Sequence, residues 1–443
     1  MPIVLALTGR LDVGDRKLSR AEAREWLARA AVWFEGAGDA VLDARLMRDG
    51  EDKPVLLVDL HTASPPVELR LGASGKVRVS ATTTPAGPGY HQYLCKLLRQ
   101  LATDFQFSWV GDDCLDPTGY FASRNRDNAE QHFLRWLAGA CGGTPRSVGL
   151  PPGHGFTHPG DMLTPLGPRS KEWATAVATD PPRGRDFFPW WSPELGPAFY
   201  RGRAVARMWC DFPWRPPLTE AEGETADQIA NDLATAFKLD PAGELPWQEW
   251  LELLHAIQAD AAGEHFCVTP TDTVLSVELW KRTGPVPGGP AAPRIGYRRY
   301  PVRAALDGGW SVEVPGSFAR EWDDQRNWTA WDRARTVCFR RVGYSKSDGS
   351  MPTAAEALEV GRKTLPAGVQ SRHRLAGGAV GEAVFGPTAE DGRTVWRLSG
   401  VAGAPGQLAV CYAYAESEAD RDWAVRTWLS LRHDAGDGPP ITR

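Results

Sequence analysis

The chain has 443 residues, of which 42% are hydrophobic and 24% charged, with a formal net charge of -5 at pH 7. A chain of this length is expected to form two or three domains, each with its own core. The acidic balance argues against general binding to nucleic acid or to anionic membranes, because such proteins carry a basic excess or a basic stripe. We therefore expect neither nucleic acid nor a membrane among the partners.

The N-terminus and the cysteines indicate the compartment. Residues Met1 to Leu7 are apolar but lack a basic leader and a small-residue cleavage site, so no signal peptide is predicted. No stretch reaches the roughly 18 apolar residues that a membrane helix needs. The seven cysteines are scattered without CxxC spacing, which predicts reduced and mostly buried thiols. Together these features predict a cytoplasmic protein.

Residues 1–145 have the pattern of an α+β domain. Helical spacing, capping-box residues and period-two alternation predict its elements in this order: a helix from Ser19 to Gly36, strands at 41–47, 55–61, 67–71 and 77–79, a helix at 90–102, a strand at 105–109, and a helix carrying Phe133, Trp136 and Leu137. The three or four consecutive strands between the first two helices predict an antiparallel meander with one solvent-facing side.

Residues 146–282 form a segment rich in proline and tryptophan. Its first part, 145–220, has little periodicity and reads as a long loop that is functional or wraps over a neighbouring domain. Two helices, at about 225–237 and 247–254, and a strand from Val274 to Trp280 are predicted after it. The following stretch, TGPVPGGPAAP at 283–293, predicts an exposed linker because proline and glycine dominate it.

Residues 294–435 have the pattern of a second α+β domain, followed by a disordered tail at 436–443. The predicted elements are a hairpin of 300–304 and 310–314, one or two strands within 328–344, a helix opened by Thr353 and Glu356, strands at 370–375, 378–385, 394–400 and 407–415, and a helix after Ser417. The predicted fold class is therefore α+β, with two antiparallel-sheet units joined by a linker.

Two stretches of the second domain resemble PsbP/DcrB-like domains. GWSVEVPGSF, Gly309 to Phe318, looks like their opening strand, glycine–tryptophan turn and proline step, and DRDWAVRTWLSLR, Asp420 to Arg432, resembles their closing helix. The resemblance covers about residues 295–435, and the insert EWDDQRNWTAWD departs from it. It implies an antiparallel sheet packed with helices and a non-catalytic binding or chaperone-like role, and it brings no catalytic residues. Residues 1–282 resemble no known family.

The best metal candidates are His154, His158 and Asp161 in the sequence GHGFTHPGD. Two imidazoles and a carboxylate suffice for an open metal site. The surrounding prolines and glycines forbid the helix that would bring them to one ion, so a polar loop is the competing interpretation. His61 and Asp59 share one face of a strand end and are typical of a general-base pair, or of a solvated strand end.

A cluster of rings beside arginines is the predicted interaction surface. It consists of Phe187, Phe188, Trp190, Trp191, Phe199 and Tyr200, together with Arg185. Aromatic residues and arginine are the types that anchor protein interfaces. The competing interpretation is that these rings fill the seam between two domains.

The predicted function is that of a non-catalytic interaction protein: an adaptor, chaperone or immunity-type partner that binds another protein. No coherent catalytic set is present, so we expect no cofactor, and the sequence leaves the oligomeric state open. One alternative is a metal-assisted hydrolase with a site around His61, His154 and His158. Another is a small-ligand or carbohydrate binder that stacks its ligand on some of the 19 tryptophans.

Overall fold

The computed structural model describes residues 2–38, 40–49, 53–143, 145–150, 154–260, 273–282, 294–343, 345–367, 371–390 and 392–434. Helices and several antiparallel sheets are both present, which confirms the predicted α+β class. The predicted linker at 283–293 and the predicted tail at 436–443 lie outside the described residues. None of the helices described is long and apolar enough to cross a lipid bilayer.

The strands are β1 Val4–Leu11, β2 Asp43–Arg48, β3 Pro54–Asp59, β4 Val67–Leu71, β5 Lys76–Thr82, β6 Phe107–Trp109, β7 His154–Phe156, β8 Met162–Thr164, β9 Gly167–Arg169, β10 Val302–Ala305, β11 Trp310–Val314, β12 Ala319–Trp322, β13 Trp328–Trp331, β14 Arg335–Gly343, β15 Ser371–Arg374, β16 Val380–Glu390, β17 Arg393–Ala404, β18 Gln407–Ala415 and β19 Arg432–His433.

The α-helices are α1 Arg20–Gly36, α2 Pro88–Asp104, α3 Tyr120–Ser123, α4 Arg126–Cys141, α5 Lys171–Thr179, α6 Pro197–Cys210, α7 Glu220–Leu239, α8 Trp247–Asp260, α9 Thr273–Arg282, α10 Ala354–Arg362 and α11 Arg421–Leu429. The chain divides into two compact units. The first unit comprises residues 1–151, 159–212 and 224–296, and the second unit comprises 152–158, 213–223 and 297–443.

The first unit contains a six-stranded antiparallel sheet in the order β2-β3-β4-β5-β1-β6. The predicted meander is confirmed as β2 to β5. Strand β1 was not predicted, yet it lies between β5 and β6, with Leu7 opposite Val79. Leu5 and Leu7 are buried in the same core as the apolar faces of α1 and α2, so the first residues of the chain belong to the core of this unit.

Helix α1 begins where the sequence predicts it. The hydroxyl of Ser19 accepts a hydrogen bond from the Glu22 N–H (3.2 Å), and the Glu22 carboxylate accepts one from the Ser19 N–H (2.8 Å). This capping box satisfies two backbone donors that a helix start otherwise leaves without partners. Trp26, Leu27 and Phe34 then lie on the buried face.

Two predictions for the middle segment are wrong. The stretch 145–220 is not a long loop, because it contains α5, α6 and the β8–β9 hairpin. Pro197 stands in the first turn of α6, where its fixed φ suits a helix start. The predicted strand from Val274 to Trp280 is helix α9. Its short apolar run fits a buried strand and a helix equally well, and periodicity alone does not separate the two.

The second unit contains a seven-stranded antiparallel sheet in the order β12-β13-β14-β18-β17-β16-β15 and a four-stranded sheet in the order β19-β11-β10-β7. The predicted hairpin is confirmed as β10 and β11, with Val302 opposite Val314. The α10 residue Leu358 packs with Val401, whereas Trp428 of α11 shares a core with Leu398. Because alternate strand residues face opposite sides, α10 and α11 cover opposite faces of the larger sheet.

Candidate functional site

The second unit has an open groove with a volume of about 580 Å³. Its lining comes from residues 213–214, from the turn at 297–301, from the end of β11 with the turn after it, and from one face of α11. This volume lies in the range of small-molecule sites. Four separate stretches of the chain therefore meet around one concave surface.

The floor of the groove is a close contact between two backbone segments. The buried Arg298 side chain donates from Nε to the carbonyl of Gly316 (2.7 Å) and from Nη2 to that of Phe318 (2.6 Å). A Cβ added to Gly316 would lie 2.5 Å from the carbonyl oxygen of Arg298 and closer still to that of Tyr300. Glycine is therefore required at this point of the floor.

One wall of the groove is built on a strained residue. Trp214 has φ +56°, a left-handed conformation that bulky side chains rarely adopt and that costs roughly 1–3 kcal/mol. The guanidinium of Arg299 lies over its indole, 3.8 Å from the ring centroid. This distance is short for a cation–π contact, so the two side chains hold each other in place.

The residue after Trp214 fixes this conformation. Arg215 donates from Nε to the carbonyl of Ser317 (2.6 Å), which belongs to the turn in the groove. Its two terminal nitrogens bind the Glu222 carboxylate at 2.6 and 2.8 Å. Such a two-point arginine–carboxylate pair has a defined geometry, so the backbone on the far side of Trp214 is anchored to the groove floor.

The opposite wall is helix α11, which is tied to β11. The hydroxyl of Ser430 accepts a hydrogen bond from the Glu313 N–H (2.9 Å) and donates to the carbonyl of Thr427 (2.7 Å). Trp423 and Arg426 face the groove from this helix. Arg426 is exposed, and its guanidinium has no hydrogen bond or ion pair among the described residues.

The groove combines cationic and aromatic groups. Arg298, Arg299 and Arg426 line it, whereas Glu313 is the single carboxylate among the described residues of the lining. Those residues include neither histidine nor cysteine, the types most often used for acid–base and nucleophilic chemistry. The arrangement is therefore suited to binding an apolar group next to an anionic one.

The predicted interaction surface is wrong for five of its six rings. Phe187, Phe188, Trp190, Phe199 and Tyr200 are all buried in the first unit. Of the remaining members, Trp191 is half-buried, and Arg185 is exposed with its guanidinium 5.2 Å from the Trp191 ring centroid.

The reason is that the rings fill the core beside α2. The Trp190 ring centroid lies 4.4 Å from that of Phe199 and 5.1 Å from that of Tyr93. The Trp190 backbone N–H donates to the carbonyl of Ala86 (2.9 Å), and its carbonyl accepts from the Gly89 N–H (3.0 Å). Large apolar rings held by backbone hydrogen bonds stabilise the fold of this unit and leave little surface for a partner.

The tryptophan-stacking alternative is weakened for the same reason. Eight of the 19 tryptophans are buried among the residues that the structure describes: Trp26, Trp190, Trp209, Trp250, Trp310, Trp328, Trp423 and Trp428. A ring buried to this extent offers no open face for a sugar. Trp214, which is half-buried beside the groove, already has Arg299 on one face.

Two of the three predicted metal candidates have other neighbours. His154 lies in β7, which pairs with β10. His158 is buried against two tyrosines, with its ring centroid 5.4 Å from that of Tyr297 and 4.7 Å from that of Tyr300. The exposed Asp161 accepts a hydrogen bond from the Lys171 N–H (3.3 Å) at the start of α5. Among the side chains that the structure describes, neither His158 nor Asp161 belongs to a cluster with metal-ligand spacing.

His61 does not form the predicted general-base pair with Asp59. The imidazole is buried, and its Nδ1 accepts a hydrogen bond from the Ala63 N–H (3.1 Å), which places the proton of a neutral ring on Nε2. The Asp59 carboxylate instead pairs with Arg45 at 3.0 Å. The hydrolase alternative thus lacks its carboxylate-oriented base.

Two arginines of α6 explain the electrostatics around His61. Burial and then the positive charges of Arg203 and Arg207 hold the pKa of His61 well below its usual value, so the ring is neutral at pH 7. Arg203 binds the buried Asp232 carboxylate at two points, 2.6 and 2.8 Å. Arg207 is also buried, and its Nη1 has no hydrogen-bond partner among the described residues.

A second buried polar cluster was missed by the sequence reasoning. Side-chain atoms of His91, Cys95 and Asp116 lie within 4.8 Å of one another, a spacing that a metal ion requires. However, both His91 nitrogens have hydroxyl partners, Thr83 at 3.1 Å and Thr118 at 3.0 Å. Burial and the charge of Asp116 raise the pKa of the Cys95 thiol, which disfavours the thiolate that a metal would need.

This cluster therefore joins α2 to the loop at 115–119 through hydrogen bonds, and we call it the Asp116 latch. The Asp116 carboxylate lies 3.3 Å from Nε2 of His91 and accepts hydrogen bonds from the Thr118 hydroxyl (2.7 Å) and the Phe121 N–H (2.7 Å). His91 and Cys95 lie four residues apart on one helix, a spacing that can be recognised in the sequence. Nothing in the sequence around Asp116 indicates that it lies beside them, because only the fold brings the three residues together.

Known proteins provide little guidance. No protein-family model matches the chain, and none of the curated proteins matches it in sequence. A crystal structure from Bacteroides thetaiotaomicron VPI-5482 at 1.50 Å resolution is similar over 31% of this chain, with 11% identity and a TM-score of 0.26. The match covers 49% of that chain, and a likeness of this degree carries no argument about function.

Proposed function

We propose that this protein is a non-catalytic binding protein whose second unit docks a segment of another protein in the groove. The observation that carries the proposal is Trp214, which is held at φ +56° under the guanidinium of Arg299. Strained residues of this kind cluster at ligand clamps and binding sites, where the surrounding structure keeps them in place. Here Arg215 supplies that support through Ser317 and Glu222.

The chemistry of the groove supports a protein partner. Tryptophan, tyrosine and arginine are the residues that contribute most to binding at protein interfaces. Trp214, Tyr300 and Arg426 place all three types around one concave surface. Tyr300 is 36% exposed, so its ring is accessible to a partner.

The biological class extends this proposal by analogy. The turn Pro315 to Phe318 at the groove floor belongs to the stretch that resembles PsbP/DcrB-like domains, which are mostly binding or chaperone-like modules. We therefore place the protein among adaptors, chaperones or immunity-type partners. Buried thiols such as Cys95, Cys210 and Cys411 fit a reducing compartment, and the cytoplasm is the proposed location.

Affinity capture from a lysate of the source organism tests the proposal. The full chain is compared with Arg426→Glu, which reverses one charge in the groove, and with Arg340→Glu, which reverses an exposed charge outside it. We expect the wild type and Arg340→Glu to recover the same protein, and Arg426→Glu to lose it. Failure to recover any protein reproducibly, or equal recovery by all three chains, contradicts the proposal.

A further inference from the structure

We infer that the segment bound by the groove is acidic and carries a large apolar or aromatic residue. This inference rests on the proposed function and adds the chemistry of the partner. It follows from the charges of the groove, from the state of its arginines before binding and from the rings in its walls.

The charges of the groove favour an anionic occupant. Arg298, Arg299 and Arg426 line it against one carboxylate, Glu313, in a chain whose formal net charge is -5. Glu313 itself lies 3.6 Å from Arg303, which offsets part of its negative charge. Arginines therefore outnumber carboxylates among the described residues of the groove, and complementary charge gives both orientation and faster association.

Two of the arginines differ in how they are held before binding. Arg299 is stacked on Trp214 at 3.8 Å, so its planar guanidinium is positioned in advance. Arg426 is exposed and has no hydrogen bond or ion pair among the described residues. A carboxylate that reaches Arg426 therefore breaks no existing ion pair of that side chain.

The apolar part of the occupant is indicated by the rings of the walls. Trp214 and Tyr300 lie on one side of the groove, and the buried Trp423 contributes only a small part of its ring from α11. The Trp423 indole N–H has no hydrogen-bond partner among the described residues. Aromatic walls of this kind favour an apolar or aromatic side chain flanked by the carboxylates that the arginines bind.

Selection from a random heptapeptide phage library against the immobilised full chain tests the inference. We expect enriched peptides to contain Asp or Glu together with Phe, Tyr, Trp or Leu. Synthetic copies of the best peptide should bind at least tenfold more weakly to Arg426→Glu than to the wild type and to Arg340→Glu. Their affinity should also fall between 50 and 500 mM salt, since salt screens exposed charges.

Three outcomes overturn the inference: enrichment of neutral or basic peptides, amide-substituted copies that bind as tightly as the acidic ones, or displacement of the peptide by a labelled oligothymidine. Arginine with aromatic rings also suits single-stranded nucleic acid, which is why the oligonucleotide is included. If selection fails while affinity capture remains sensitive to Arg426→Glu, the inference is wrong and the proposed function stands. If capture also fails, the proposed function is wrong.

Discussion

The guanidinium of Arg299 lies 3.8 Å from the indole centroid of Trp214, and Trp214 has a left-handed backbone. A bulky side chain in this region is unfavourable, so the contact and the anchoring by Arg215 must outweigh the strain. Backbone strain that surrounding residues hold in place is most often found at functional sites. Replacing Trp214 is therefore a direct test of whether the groove binds a partner.

Replacement of Trp214 by asparagine should separate binding from stability. Asparagine tolerates a positive φ, so the substitution relieves roughly 1 kcal/mol of strain. It also removes a half-buried ring, and the two effects should leave the free energy of unfolding within about 1 kcal/mol of wild type. We expect the partner or peptide to be lost at the same time. Urea titration and peptide binding measure the two quantities.

Gln106 provides the matched control for strain. It also has a positive φ, +53°, and is exposed after α2 in the first unit. Gln106→Gly should stabilise the protein by about 0.5–1 kcal/mol and leave binding unchanged, because only the strain is removed there. Loss of binding in Gln106→Gly, or retained binding in Trp214→Asn, contradicts the role assigned to the groove wall.

The floor of the groove should not tolerate even one added methyl group. In Gly316→Ala the new Cβ meets two backbone carbonyl oxygens, which forces the segments apart at a cost of about 1–3 kcal/mol. Gly386 of β16 has no atom within 4 Å of the corresponding position, so Gly386→Ala should be nearly neutral. Thermal melting and peptide binding compare the two. Equal behaviour of both variants is the result that contradicts the close contact at the floor.

Much of the fold was predictable because local signals are strong. The capping boxes of Ser19 and Thr353 marked two helix starts, and both are present. Alternating apolar residues marked the meander β2–β5. By contrast, the apolar residues at the N-terminus were weighed only as a signal peptide, which their pattern excludes, so β1 was not predicted. The short apolar run of α9 fits a strand and a helix equally well.

The site was much harder to predict. The composition of the ring-rich stretch around Trp190 predicted an interaction surface. A large apolar ring is, however, more stable in a core than on a surface. The groove brings Trp214, Arg299 and Arg426 together across more than 200 positions of sequence. Their approach depends on long-range packing, and a positive φ at Trp214 leaves no trace in residue type.

The buried latch at Asp116 should make the first unit sensitive to acid. Burial alone would raise the pKa of Asp116. The hydrogen bond and the electrostatic interaction with His91, together with the hydrogen bonds from Phe121 and Thr118, outweigh this effect, so the pKa is lowered. A carboxyl group with a lowered pKa in the folded state stabilises the fold above about pH 4, and this stabilisation is lost as the pH falls further.

Asp116→Asn should therefore reduce the free energy of unfolding at pH 7 by about 2 kcal/mol and flatten its dependence on pH below about 4. The control is Asp113→Asn, since Asp113 is exposed and makes a surface ion pair with Lys76 at 3.2 Å. Surface pairs contribute about 0–1 kcal/mol, so this variant should behave like wild type. Urea titrations from pH 3 to pH 7 provide the measurement. An unchanged pH profile in Asp116→Asn rules out the latch.

Replacing Arg203 or Arg207 of α6 by methionine should have different effects on the free energy of unfolding. Arg203→Met leaves the buried Asp232 carboxylate without its two-point partner and should cost about 3–5 kcal/mol. Arg207→Met removes a buried cation whose Nη1 has no partner and should be neutral or stabilising by about 1 kcal/mol. Urea titration distinguishes them. A large loss of stability in Arg207→Met contradicts this account of the buried arginine pair.

The central claim is that a protein partner occupies the groove, and site-specific photo-crosslinking tests it most directly. The photoreactive residue p-benzoylphenylalanine replaces Tyr300 in the groove in one chain and Arg340 outside it in another. On irradiation in a lysate of the source organism, we expect the chain labelled at position 300 to attach to one protein, and the chain labelled at 340 to remain unattached. Equal attachment from both positions, or none from position 300, contradicts the claim.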